Sequence, residues 1–260
     1  MKLFIFSDVH GFYDELQLAL NNAGFDINNP DHIIVSCGDL LDRGTKPMQC
    51  LKFVNGIPDN RKFLICGNHE VLLNECLDRG DFLQHDYHNG TAQTVSDIGD
   101  YGLTTFNIYD MFNKVRHNKE LNRYMESVID YAKIKNNVFV HGWIPCKIND
   151  PNKYHARDLV YTFDENWERG DWDRARWING ADAWQNGVRI DGCTIFCGHW
   201  HCSWPRKYIE KTGVEFDTNE TKADFSPWYG DGICCIDACT AYSHKVNVVV
   251  LDVADKEIKK

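Results

Sequence analysis

The sequence predicts an α/β fold, and three observations carry that reading. Short apolar runs recur that end in cysteine, glycine and a polar residue: Ile33-Ile34-Val35-Ser36-Cys37-Gly38-Asp39, Phe63-Leu64-Ile65-Cys66-Gly67-Asn68 and Thr194-Ile195-Phe196-Cys197-Gly198-His199. Leu3-Phe4-Ile5-Phe6-Ser7-Asp8 and Val138-Phe139-Val140-His141-Gly142 are close variants. Runs of this length bounded by glycine read as buried strands. Helix-like segments follow the first three in chain order, at Tyr13 to Ala23, Lys46 to Val54 and Val71 to Cys76. Strands alternating with helices argue for βαβ units. The 260 residues are enough to bury roughly 73% of the unfolded chain's surface, so a core forms without covalent staples.

The rest of the chain fills in around these units. Residues 80 to 135 read as a helical insertion, with Thr91 to Ile98 and Lys119 to Lys133 its better helices. Residues 154 to 187 form a flank rich in tryptophan and charge. Ile233 to Val253 reads as a hairpin turning near Ala241 to His244. With no internal repeat and no Pro/Gly-rich linker, residues 1–260 are expected to be one domain.

Composition narrows the function classes. A hydrophobic content of 43% with 25% charged residues excludes disorder and collagen-like repeats. Val246 to Leu251 is the longest apolar candidate, far below the ~18 residues of a membrane span. The four-residue run before Asp8 is too short for a signal-peptide core, so a cytoplasmic protein without a membrane anchor is expected. A net charge of −10 disfavours non-specific binding to nucleic acid or anionic membranes. Eleven scattered cysteines without a C-x-x-C pair read as reduced, buried thiols, and Cys193, Cys197 and Cys202 match no common zinc knuckle.

Ligands in open α/β sheets collect beyond the carboxyl ends of the strands. Here those ends supply Asp8 with His10, Asp39, Asn68 with His69, His141, and His199 with His201. Carboxylate, imidazole and amide oxygen together suit Mn²⁺, Fe or Zn²⁺. Period-two alternation is expected to place Asp8 beside His10, and His199 beside His201, on one extended face.

Ser7-Asp8-Val9-His10-Gly11, Gly38-Asp39-Leu40-Leu41-Asp42-Arg43-Gly44, Gly67-Asn68-His69-Glu70, His141-Gly142 and Gly198-His199-Trp200-His201 resemble the ordered motifs of the calcineurin-like metallophosphoesterases. The second and third resemble the branch that holds the serine/threonine phosphoprotein phosphatases and the symmetrical dinucleoside tetraphosphatases. Ser7 and His201 look more like the broader superfamily. The resemblance implies a four-layer α/β/β/α sandwich with two divalent metals, manganese favoured, at one edge. Asp8 and His10 would hold the first metal, joined by His201. Asp39 would bridge, and Asn68, His141 and His199 would hold the second.

It also implies that a hydroxide between the metals attacks phosphorus in line, that Arg43 grips the phosphoryl oxygens, and that His69, oriented by Asp42, protonates the leaving oxygen. The metals outweigh Asp8, Asp39 and the hydroxide, leaving about +1 at the site of an acidic protein. The expected function is phosphomonoester hydrolysis, phosphoserine and phosphothreonine proteins included. Hydrolysis of dinucleoside polyphosphates or other nucleotides is the alternative, and a non-catalytic metal-binding scaffold the remote one. Arg157, Arg169, Arg174 and Arg176 are candidates for a second phosphate-binding cation. Trp167, Trp172, Trp177 and Trp184 are candidates for either a base-stacking wall or core packing. His32, His85, His88, His117, His155 and His244 fall outside the motifs and are expected at the surface or in packing.

Overall fold

A computed structural model describes residues 1–102, 107–148, 160–253 and 258–259. The first part of the chain forms β1 (Lys2–Phe6), α1 (Tyr13–Asn22), β2 (His32–Ser36), α2 (Pro47–Gly56), β3 (Lys62–Ile65) and α3 (Asn68–Arg79). Four helices follow, α4 (Gln84–Asn89), α5 (Thr91–Gly99), α6 (Ile108–Arg116) and α7 (Lys119–Ser127). Five short strands come next, β4 (Val128–Ile129), β5 (Ala132–Ile134), β6 (Asn137–Phe139), β7 (Cys146–Ile148) and β8 (Tyr161–Phe163). The last part holds α8 (Trp172–Ala175), α9 (Gly180–Gln185), β9 (Thr194–Cys197), α10 (Ser203–Tyr208), β10 (Trp228–Gly230), β11 (Ile233–Cys235), α11 (Thr240–Ser243), β12 (Val249–Asp252) and β13 (Ile258–Lys259).

Two main sheets result. The first has the order β12-β1-β2-β3-β4, and β1 through β4 run parallel. The second has the order β10-β11-β9-β6-β5-β13, with β6, β9 and β11 parallel at its centre. Parallel neighbours point their carboxyl ends the same way, so each sheet presents its strand ends along a single edge.

Alternation along the strands builds the layers. In β1, Leu3 and Ile5 enter a core shared with Phe139, Phe196, Cys234 and Ile236 of the second sheet. Phe4 and Phe6 face the other way, onto Leu16, Leu51 and Leu73 of the helices. In β9, Phe196 joins the shared core while Ile195 and Cys197 face Trp143, Trp172 and Ile178. One core thus lies between the sheets and one on each outer face, which is the expected α/β/β/α stack.

Three expected elements differ. The helix read over Lys119 to Lys133 stops at Ser127, because β-branched Val128 and Ile129 extend the first sheet beside β3. The helix read over Val71 to Cys76 begins earlier, so Asn68 and His69 sit in its first turn. Ile233 to Val253 forms no hairpin: β11 pairs with β9, whereas β12 crosses to the other sheet and covers the edge of β1. The connection from Ile236 to Val248 far exceeds the roughly two to five residues of a hairpin loop. Residues 154–159 of the tryptophan-rich flank lie outside the described residues. No helix among the described residues is long and apolar enough to cross a membrane.

Phe196 stacks on Phe139 at 5.2 Å in the core between the sheets. Phe196→Ala is expected to cost about 3–5 kcal/mol of unfolding free energy in denaturant titration. Tyr109→Ala, at a side chain 80% exposed, is expected to stay within about 0.5 kcal/mol.

Candidate active site

The loops after β1, β2, β3, β6 and β9 meet where the edges of the two sheets come together. Backbone bonds lace them: Asp8 N–H donates to Gly38, His10 N–H to Asp39, and Gly198 N–H to His141, at 2.8–3.1 Å. His199 N–H donates to Asp8 Oδ2 at 3.0 Å, tying the second sheet to the first. The expected extended faces do not form. Asp8, His10, Asp39, Asp42, Arg43 and His199 all have φ between 50° and 73°. This left-handed backbone costs non-glycine residues about 1–2 kcal/mol each and survives only where the surroundings fix it. The glycines of the motifs make room: a Cβ on Gly67 would lie 2.1 Å from Asp39 Oδ1, and one on Gly198 would lie 2.1 Å from Asp8 Oδ2.

Asp39 stands at the centre. Its Oδ2 lies 3.8 Å from His10 Nε2 and 4.0 Å from His69 Nε2, and its Oδ1 lies 3.4 Å from His141 Nε2. The ligand atoms of His10, Asp39 and His69 lie within 4.8 Å of one another, and so do those of Asp39, His141 and His199. Asn68 Oδ1 is 2.8 Å from His141 Nε2, and Asp8 Oδ1 is 4.0 Å from His10 Nε2. The Nδ1 atoms of three imidazoles are anchored, on Leu41 O, Cys37 O and Asp42 Oδ2 for His10, His141 and His69. Each anchor leaves Nε2 facing the centre, as metal-binding histidines require. Buried oxygen and imidazole donors clustered twice around one shared carboxylate fit two borderline divalent cations.

Without cations the cluster is under electrostatic stress. Burial pushes Asp8 up to about 6, His141 pulls it down and Asp39 adds to the rise. Burial lowers His141, but Asp39 outweighs it and holds the imidazole up to about 10. Burial raises Asp39, yet His141 and His69 hold it well below the usual carboxylate range. His10 is pulled well down by burial, with His69 and Arg43 adding to the effect.

Arg43 spans the first cluster from the solvent side. Its Nη1 lies 3.2 Å from His10 Nε2 and its Nη2 lies 3.1 Å from His69 Nε2. Beneath it, Asp42 Oδ2 is 2.8 Å from His69 Nδ1 and accepts from Thr91 Oγ1 at 2.7 Å. Asp42 N–H donates to Thr94 Oγ1. Burial pulls His69 down, but Asp39 and Asp42 outweigh it and keep the imidazole above its ordinary value.

Glu70 is the least expected part of the site. Its carboxylate accepts from the N–H groups of Asp39, Leu40 and Gly67 and from the Tyr124 hydroxyl, at 2.7–3.0 Å. It therefore clamps the β2 and β3 loops together, and Tyr124 of α7 clamps Glu70. The helical insertion supports the site through Thr91, Thr94 and Tyr124, which motif reading did not single out. Glu70 had a sequence signal, since an acid three residues after a helix cap folds back onto it.

Other candidates separate by position. His201 joins neither cluster: its ring stacks on Phe216 at 4.8 Å and its Nε2 lies 3.3 Å from Glu215 Oε1. Arg176 is buried and bound to Asp130, Asp173 and Cys66 O, so its guanidinium faces protein. Arg169 is exposed, and Arg157 and His155 lie outside the described residues. Trp167 and Trp172 pack with Tyr131, and Trp184 packs with Trp228. Trp177 alone of the four reaches the cluster, edge-on to His199 at 5.9 Å. The eleven cysteines are all free thiols.

Asp237 is a further acid that the sequence reading passed over. It follows the apolar run of β11 just as Asp8 follows β1, a signal hidden by the hairpin assignment. It is buried, and burial and then Asp8 push it up to about 7. A carboxyl raised in the folded state contributes stability that is full below its unfolded value near 3.8 and lost as pH rises through 7. In chelator-stripped protein, the stability of the wild type relative to Asp237→Asn is expected to fall by a few kcal/mol between about pH 4 and pH 7. Unfolding titrations of both proteins across that range measure it, and a flat difference contradicts it.

The family model described as calcineurin-like phosphoesterase matches residues 1–203. Symmetrical bis(5'-nucleosyl)-tetraphosphatases of Buchnera aphidicola subsp. Baizongia pistaciae and Psychromonas ingrahamii are 37% and 41% identical over 73 residues. Those stretches are 28% of this chain and 25% of each relative, so the chain matches about a quarter of these curated relatives' length. A solved structure described as a suspected diadenosine tetraphosphatase superposes with a TM-score of 0.53 at 13% identity, covering 96% of this chain and 89% of the other. A cold-active protein-tyrosine phosphatase of a psychrophilic Shewanella superposes at 0.50 with 16% identity, covering 96% and 75%. These structures share the fold. With more than three quarters of its length matched and a histidine–aspartate cluster at the junction of two sheets, the chain belongs to the calcineurin-like phosphoesterase family.

Proposed function

We propose that this phosphoester hydrolase acts on phosphomonoesters, with Asp8, His10 and Asp39 holding one divalent cation and Asp39, Asn68, His141 and His199 holding a second, manganese favoured. The observation that carries the reading is Arg43, whose guanidinium lies 3.2 and 3.1 Å from His10 Nε2 and His69 Nε2, each in turn within 4.0 Å of Asp39 Oδ2. One cation, one acid and the metal-type donors thus converge on a single carboxylate. When bound, the metals supply Lewis-acid polarisation of phosphoryl oxygen and acidify the attacking water.

The chain's own residues do the remainder. Arg43 is exposed, with Nη1 3.2 Å from His10 Nε2 and Nη2 3.1 Å from His69 Nε2. With His10 Nε2 given to a metal, the Arg43 N–H facing it would be free to bind a phosphoryl oxygen and stabilise the charge that develops there. Asp39 and Asp42 outweigh the burial of His69 and favour its protonated form. His69 gives that proton from Nε2 to the leaving oxygen, while Asp42 holds Nδ1. Thr91 and Thr94 keep Asp42 in place.

Phosphoserine and phosphothreonine side chains belong to this class. Dinucleoside tetraphosphate hydrolysis is a second reading, favoured by Trp177 and Trp200, whose rings lie 5.9 and 6.3 Å from that of His199. Against it, Arg176 faces protein and Arg43 is the described guanidinium at the cluster.

The test is turnover of p-nitrophenyl phosphate, a phosphothreonine peptide and diadenosine tetraphosphate with Mn²⁺, Zn²⁺ or chelator. Turnover of the monoesters, lost with chelator and in Asp39→Asn, is expected; preference for the dinucleotide moves the assignment to the second reading. His69→Ala is expected to lower kcat by about 10²–10⁴ while metal analysis still finds both ions. Parallel loss of metal and turnover would remove the acid role.

A further inference from the structure

Phe216 and Tyr242 are 43% and 46% exposed, although their rings are 5.4 Å apart and belong to one aromatic cluster. Phe225 lies 5.7 Å from Tyr242 and 6.3 Å from Phe216, and His201 stacks on Phe216. Single exposed rings such as Tyr109 are ordinary, but a contiguous exposed group marks a binding surface. Phe225 and Tyr242 also border a recess of about 440 Å³ that includes Ala238, Lys222 and Lys245, so these rings face open space.

The cluster adjoins the proposed reaction centre. The Asp237 carbonyl accepts from the N–H of Cys202, next to His201, at 2.9 Å, and its Oδ1 accepts from Cys239 N–H at 2.6 Å. Tyr242 N–H in turn donates to the Cys239 carbonyl at 2.8 Å. His244 sets its ring 5.8 Å from that of Phe12, two residues beyond His10. The turn carrying Tyr242 thus reaches the loop after β1 through His244 and the loop after β9 through Asp237. Phe216 and Phe225 reach it from the chain between α10 and β10. Glu215, which pairs with His201 and accepts from the Tyr208 hydroxyl at 2.7 Å, fixes the start of that chain.

We propose that Phe216 and Tyr242, backed by His201 and Phe225, form the leaving-group subsite and select phosphomonoesters whose leaving group carries a flat aromatic ring. This rests on the phosphomonoesterase reading above and assigns that activity a substrate class. Two sources share the chemistry, a phenol ring esterified directly to phosphate and a nucleobase one sugar away. Aromatic pairs prefer offset or edge-on contact at ring separations of about 4.5–7 Å, the spacing at which Phe216 and Tyr242 already meet each other. The ester group itself is cleaved as for any monoester: the P–O bond to the leaving group breaks, water supplies the new oxygen, and the leaving oxygen takes a proton.

The experiment compares kcat/KM for O-phospho-L-tyrosine, adenosine 5'-monophosphate and O-phospho-L-serine, with Mn²⁺, in wild type, Phe216→Ala, Tyr242→Ala and the control Tyr229→Ala. Each of the two wall variants is expected to lower an aromatic-to-serine ratio by roughly three- to tenfold. The control, 62% exposed and outside the cluster, is expected to keep the wild-type ratio. A fall in the tyrosine ratio identifies an aryl phosphate, and a fall in the adenosine ratio a nucleotide. Ratios that stay constant in both wall variants overturn the subsite while the phosphomonoesterase stands. Wild type that turns over none of the three overturns the phosphomonoesterase reading itself.

Discussion

Two buried carboxylates, Asp8 and Asp39, set the terms for everything around them. Each is about 2% exposed, and burying a charge that close to another of the same sign is costly unless opposite charge or hydrogen-bond donors surround it. The chain answers with donors from several sides. Ser7 Oγ and the His199 N–H reach Asp8, while the His69 N–H and His141 reach Asp39. Even so, Asp8 is pushed up to about 6 and His141 is held up to about 10. Positive charge at this centre is therefore what balances the two buried carboxylates.

Holding those groups together requires backbone that the residues themselves disfavour. Six site residues adopt left-handed φ, and although aspartate and histidine tolerate it better than most, it remains costly for all six. The compensation comes from farther along the chain. Glu70 uses both oxygens to bind three N–H groups of two loops, and Tyr124 completes its hydrogen bonding from a helix more than fifty residues away. Thr91 and Thr94 do the same for Asp42. The helices between β3 and β4 are therefore a brace for the site as well as an outer layer of the sandwich.

This division explains what could be read from the sequence. The strands β1, β2, β3 and β9 announced themselves because each is an apolar run that ends in glycine or serine before a polar side chain, and β6 because its run ends directly in His141-Gly142. The motif residues followed directly, since they are consecutive in sequence. What stayed hidden depends on tertiary partners. Helix α7 ends at Ser127 because the first sheet has an open edge for Val128 and Ile129. β12 leaves β11 because β1 has an uncovered edge. The left-handed loops, the Tyr124 brace and the turn of His201 toward Glu215 come from contacts across 14 to 191 residues that no local pattern encodes.

The two sheets also divide the proposed labour. Asp8, His10, Asp39, Asn68, His69, Asp42 and Arg43 all come from the loops of the first sheet, where the proposed acid and phosphate grip are braced by the insertion. The second sheet adds His141 and His199, with the rings of Trp177 and Trp200 beside His199, and the cluster of Phe216 and Tyr242 beside His201. Phe216 and Tyr242 lie on the connections after β9 and β11 and belong to neither group of candidate ligands. Substitution of those rings can therefore alter which leaving group is accepted without moving Asp39 or His69, whereas a change at Glu70 or Gly67 would displace the centre itself. The proposed reaction centre draws on both sheets, whereas the proposed leaving-group rings lie on the second alone, so selectivity would vary there without a change in the ligand set.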